Sequence, residues 1–113
     1  MIDVNAVVSP LLKQTGVEVF FRYPNTFTNT PCISFYTLTD TQGFGADNEE
    51  WAQLTRVQVD VWAERAKDTS ALGIKVNEIM QSDGWRREYA ADLPNQNGEF
   101  EHKTMRFIKE IYY

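Results

Sequence analysis

The stretch Thr55-Arg56-Val57-Gln58-Val59-Asp60-Val61-Trp62-Ala63 alternates without a break. In an extended chain Thr55, Val57, Val59, Val61 and Ala63 share one face, and Arg56, Gln58, Asp60 and Trp62 share the other. One face therefore belongs to a core and the other is mostly polar, which fits a sheet covered on one side only. The phase makes a testable expectation: Asp60 and Trp62 lie opposite Val59 and Val61, and a shift by one residue would reverse every assignment on the strand.

The neighbouring segments build outward from this strand. Upstream, Cys32 to Leu38 reads as a second strand, and Val17 to Arg22 as a short one rich in β-branched and aromatic residues. Tyr23 to Pro31 (YPNTFTNTP) is a loop, and Thr39 to Glu50 (TDTQGFGADNEE) a long loop or a protruding hairpin, 39–50. Near the start, Val4, Val7, Val8, Leu11 and Leu12 keep the spacing of one helical face, with Asp3 as its cap and Gly16 as its stop. Pro10 should kink or shorten that helix. Downstream, Asp68 or Thr69 opens a second helix with Leu72, Val76, Ile79 and Met80 as its buried stripe, and Asp83-Gly84 ends it. Trp85 to Leu93 and Phe100 to Tyr113 are strands joined by the Asn-Gly-containing turn Pro94 to Gly98.

The order is thus α-β-β-β-α-β-β, an α+β fold with a mainly antiparallel sheet and two helices on one face. At 113 residues the chain makes one domain, 1–113. The uncovered face should carry Trp62, Tyr36 and Tyr112, an aromatic set that either meets a partner or lies under the 39–50 segment folded back. Both readings stay open from the residues.

Composition narrows the chemistry. Sixteen acidic against eleven basic residues leave a net charge of −5, which works against gripping a phosphate backbone. No basic n-region with an apolar run marks a signal peptide and no stretch approaches a membrane span, so the expected place is the cytoplasm with no membrane partner. Cys32 is the one cysteine and His102 the one histidine, so neither a disulfide nor a multi-cysteine zinc site is expected. A Cys32–His102 thiolate pair oriented by Glu101 or Asp92 is the sharpest enzymatic alternative. Against it, Cys32 opens an apolar strand with no helix N-terminus to lower its pKa, and His102 sits in a charged, solvated segment. Asp47, Glu49 and Glu50 lack the spacing of a calcium loop, and Gly43-Phe44-Gly45 lacks the lysine and further glycines of a phosphate loop. No catalytic residue, metal or cofactor is expected.

Charge placement says more. No Lys or Arg occurs from Tyr23 through Gln53, while Arg86-Arg87 lies in the more basic second half. The acidic segment of one copy facing the basic edge of another would make a head-to-tail contact. Single exposed pairs of this kind contribute only about 0–1 kcal/mol.

Several stretches resemble the tail-terminator, or tail-to-head joining, proteins of long-tailed bacteriophages and prophages. They are Pro31-Cys32-Ile33-Ser34-Phe35-Tyr36, Arg56-Val57-Gln58-Val59-Asp60-Val61-Trp62, Asp92-Leu93 before a turn, and His102-Lys103-Thr104-Met105-Arg106-Phe107. The likeness runs from the first helix to the C-terminus and rests on strand patterns, not on invariant chemistry. It implies a structural virion protein in the neck region, assembled in the host cytoplasm, and no enzyme. It also implies a homo-oligomer, usually a hexameric ring, seated on the tail tube protein. That ring ends tube polymerisation, meets a head-side connector, and lets DNA pass without specific binding. Gly43, Phe44, Asp47, Glu49, Glu50, Trp62, Arg86 and Arg87 are the candidate contacts with neighbours or tube. Six copies at −5 each would place about −30 around the passage, which repels phosphates. The alternative is a small cytoplasmic α+β enzyme or binding module using Cys32 and His102 or the acidic loop.

Overall fold

The computed structural model of the protein describes residues 1–24, 30–43, 51–93 and 100–113. The elements are α1 (Val4–Lys13), β1 (Glu18–Phe21), β2 (Cys32–Gln42), β3 (Ala52–Ala63), α2 (Ala66–Ser82), β4 (Arg86–Leu93) and β5 (Glu101–Tyr112). The expected order and the α+β class hold. One five-stranded sheet runs β1-β2-β3-β5-β4. All its pairings are antiparallel except β1 with β2.

The alternating strand behaves as its residues dictate. Val57, Val59 and Val61 are fully buried, and they meet Val8, Leu12, Val76, Met80 and Phe107 in the core between sheet and helices. Trp62 lies on the other face, beside His102 and Ser34, so the phase is correct. β3 starts three residues earlier than the alternation shows. Gln53 is buried, and its amide is satisfied by the Ile2 backbone and the Asp40 carboxylate. β2 likewise runs on to Gln42, with a register shift between Thr37 and Thr39, so the first part of 39–50 belongs to a hairpin stem. Phe44, Asp47, Glu49 and Glu50, and the Pro94 to Gly98 turn, lie outside the described residues.

The helices depart from expectation at their ends. Asp3 caps α1, accepting from the Asn5 and Ala6 N–H groups. Pro10 does not end it, for α1 runs on to Lys13. The lost bond is the one to the Ala6 carbonyl, and both residues face solvent, where water replaces it. Val7, expected in the core, is 36% exposed because the sheet takes the stripe Val4, Val8 and Leu12. α2 opens at Ala66, ahead of Asp68, which instead occupies the first turn and pairs with Arg65 at 3.1 Å. Its stop is a Schellman motif: the Trp85 N–H reaches the Met80 carbonyl, the Gly84 N–H reaches that of Gln81, and Gly84 takes φ +92. That turn drops Trp85 into the core ahead of β4.

Candidate functional site

The sheet face away from the helices is neither bare nor simply apolar. Cross-strand register aligns Cys32, Trp62 and His102 in one row, and Ser34, Asp60 and Thr104 in the next. Trp62 stacks on the His102 ring, with centroids 3.8 Å apart and planes 9° from parallel, and Tyr23 meets it edge-on at 5.3 Å. The indole N–H donates to Ser34 Oγ at 3.0 Å. His102 Nε2 lies 2.8 Å from Asp60 Oδ1, and Gln58 Nε2 donates to the same carboxylate at 3.1 and 3.2 Å. Arg106 extends the row from Gln58 toward the Tyr89 ring.

Two expectations change here. Trp62 does point away from the helices, but it is half-buried in this network, and of the aromatic set only Tyr112 is broadly exposed. His102 is not a solvated side chain: the buried Asp60 holds it against Trp62, and only 18% of the side chain is exposed. Asp60 carried a visible signal, an acid inside an apolar strand, yet the partner 42 residues away could be named only once β5 was known to lie beside β3.

The geometry does not bring Cys32 and His102 together. Trp62 stands between them in the row, so they are separated by two strand spacings, about 10 Å. Glu101 and Asp92 do not orient the imidazole; Asp60 does, while Asp92 pairs with Lys103 at 2.9 Å. Cys32 is buried, and burial, assisted by the nearby Glu18 charge, pushes its thiol from 9.0 up to about 11. It therefore stays protonated at neutral pH, the opposite of an activated nucleophile. Cys32 should resist a thiol reagent at pH 7.5 in the native protein and react fully in 6 M urea, as followed by absorbance of the released thiolate. The sign of its linkage is also set. Between pH 9 and about 11 the folded chain keeps a proton that the unfolded chain loses, so stability falls as pH rises through that window. Fast native labelling would contradict both statements.

Gly43 closes the hairpin stem, its N–H donating to the Ala52 carbonyl at 2.9 Å. A Cβ there would come within 3.0 Å of a Glu110 carboxylate oxygen and 3.2 Å of the Ala52 backbone, so this glycine serves close packing. Arg86 and Arg87 open β4, the strand at one end of the sheet order, and both are exposed. Among the described residues neither has an ion-pair partner. Also among the described residues, no three His, Cys, Asp or Glu side chains are grouped to hold a metal ion, and no helix is long and apolar enough to cross a membrane.

The fold is shared with a chain of a solved virion particle. A chain from the virion of a native gene transfer agent particle superposes with a TM-score of 0.62, at 11% identity, over 90% of this chain and 84% of that one. At that identity the likeness is one of architecture. No family model matches the sequence, and no curated protein matches it either.

Proposed function

We propose that the protein is a structural component of a virion, a tail terminator. In this reading it forms a ring, six copies in the family it resembles, that caps the tail tube, ends tube growth and joins the tail to the head-side connector. It acts in the neck region of the particle and is assembled in the host cytoplasm. The observation that carries the reading is the shared architecture with a virion chain over nine-tenths of the sequence. The strand patterns quoted above point the same way. The acidic balance supports it physically, since a wall of net charge −5 per copy repels DNA phosphates and leaves a passage in which DNA slides. A non-catalytic role is part of the proposal. The face that would have served the enzymatic alternative holds a protonated thiol, separated by an indole from a histidine bound to Asp60.

The direct test mixes purified protein with growing tail tubes and images them by negative-stain electron microscopy. A ring at one tube end, with arrest of elongation, is expected. Tubes that neither bind the protein nor stop growing in its presence refute the assignment.

A further inference from the structure

Among the described residues the sheet has two long edges without a pairing strand, and they lie on opposite sides. β1 pairs with β2 only from Cys32 to Phe35. At Arg22 the chain takes φ 74 and turns away, its N–H making a last bond to the Phe35 carbonyl. From Tyr36 to Gln42 no described residue pairs with the outer side of β2. The Gly43 N–H faces β3, so by alternation the N–H and C=O groups of Asp40 and Gln42 point outward. This edge, Tyr-Thr-Leu-Thr-Asp-Thr-Gln, is rich in strand formers and has no lysine, arginine or proline to blunt it. The opposite edge is β4, whose outer side no described residue pairs with along Arg86–Leu93.

Resting on the reading that copies of this chain assemble, we propose that the Tyr36–Gln42 edge of one copy receives the β4 edge of the next, continuing the sheet from subunit to subunit. Strand direction supports this occupant. Because β2, β3, β5 and β4 alternate in direction, β2 and β4 run oppositely. A second copy set beside the first with its helices on the same side therefore presents β4 antiparallel to β2. Two different edges joined this way make a head-to-tail contact, the kind that closes into rings. Charge supports the same direction. Antiparallel pairing brings Arg86 and Arg87 to the Asp40 end of β2, and Asp92 to the end where Arg22 stands. Parallel pairing would oppose Asp40 with Asp92 and Arg22 with Arg86. Asp40 has no cationic partner among the described residues; only Gln53 and Thr55 bond to it.

A charge swap tests the contact. Thr41→Lys with Gln42→Lys puts cations opposite the arginine pair, and Arg86→Glu with Arg87→Glu reverses the other side. All four positions are exposed, and thermal unfolding of each variant as monomer checks that the fold persists. Ring formation, in free solution and on tail tubes, is read by light scattering and electron microscopy. Each double variant should weaken assembly by about tenfold or more, and all four substitutions together should restore it. In wild-type rings, amide exchange at Asp40, Gln42 and within β4 should slow by about tenfold or more relative to the dilute chain. Rings that form equally well in every variant, a combined variant that fails to recover, or edge amides that exchange as in the dilute chain overturn this pairing and leave the ring reading standing. A wild-type chain that forms no ring even on tubes overturns both.

Discussion

Trp85→Ala will lower the unfolding free energy by about 3–5 kcal/mol, the range for deleting a large buried aromatic side chain. Trp85 is 2% exposed and stands at the exit of α2, where the Schellman turn delivers it beneath the sheet. Its indole N–H donates to the Asp83 carboxylate at 3.2 Å, and Lys109 from β5 reaches both the Asp83 backbone carbonyl and that same carboxylate. One side chain thus ties the end of α2 to β5. Against a total stability of about 5–15 kcal/mol for a domain of this kind, the loss removes a large share. In urea the midpoint should fall by about 2 M with little change in slope. Trp85→Phe keeps most of the apolar area but drops the hydrogen bond, and a loss of about 1–2 kcal/mol is expected. Equal losses for the two variants would show that the indole–Asp83 bond, and not the buried area, holds this corner.

The second large effect lies on the opposite face. Asp60→Ala removes an acceptor from two donors at once, Gln58 and His102, in a site where Asp60 itself is 4% exposed. Buried polar groups left without partners cost about 1–3 kcal/mol, so a loss of about 2–3 kcal/mol is expected. For a domain of this size that is a fall in Tm of roughly 8–15 °C by calorimetry. Asp60→Asn retains one acceptor oxygen and should lose about half as much. Trp62 gives an independent signal, because its stacking on His102 depends on Asp60 holding the ring. Its fluorescence should change in the native state of Asp60→Ala. An unchanged Tm and spectrum would mean that water takes the place of the carboxylate.

The contrast between these two sites shows what could be read in the residues. Thr55 to Ala63 is legible because a strand one face deep writes its burial into a period of two, and α2 is legible through Leu72, Val76 and Met80 because a helix packed on a sheet does the same at 3.6. The Asp83-Gly84 stop carries its own local chemistry. What stays hidden depends on partners far along the chain. Gln53 breaks the alternation and made β3 look shorter, since its burial relies on Ile2 and Asp40. His102 looked solvated because its neighbours in sequence are charged, whereas its neighbours in space are Trp62 and Asp60. The open stretch of β2 was hidden for a related reason. Nothing in Val17 to Arg22 announces that pairing stops at Phe35; it stops because Arg22 adopts a left-handed conformation uncommon outside glycine. Arg86 and Arg87 could be singled out as a basic pair, but their place on an outermost strand became visible only with the strand order.

The position of β5 between β3 and β4 has a consequence for how the chain reaches this structure. Its pairings with β3 span long separations, Val59 with Met105 and Ala52 with Tyr112, so the central ladder is closed by remote contacts. Topologies of that kind fold slowly, because the loop must close before the contacts form. Until β5 docks, β3 and β4 each present an unpaired edge on their inner side, in addition to the two edges that no described residue pairs with in the folded protein. A refolding chain therefore passes through a stage with more sticky edges than the native one, and its yield after denaturation will depend on dilution.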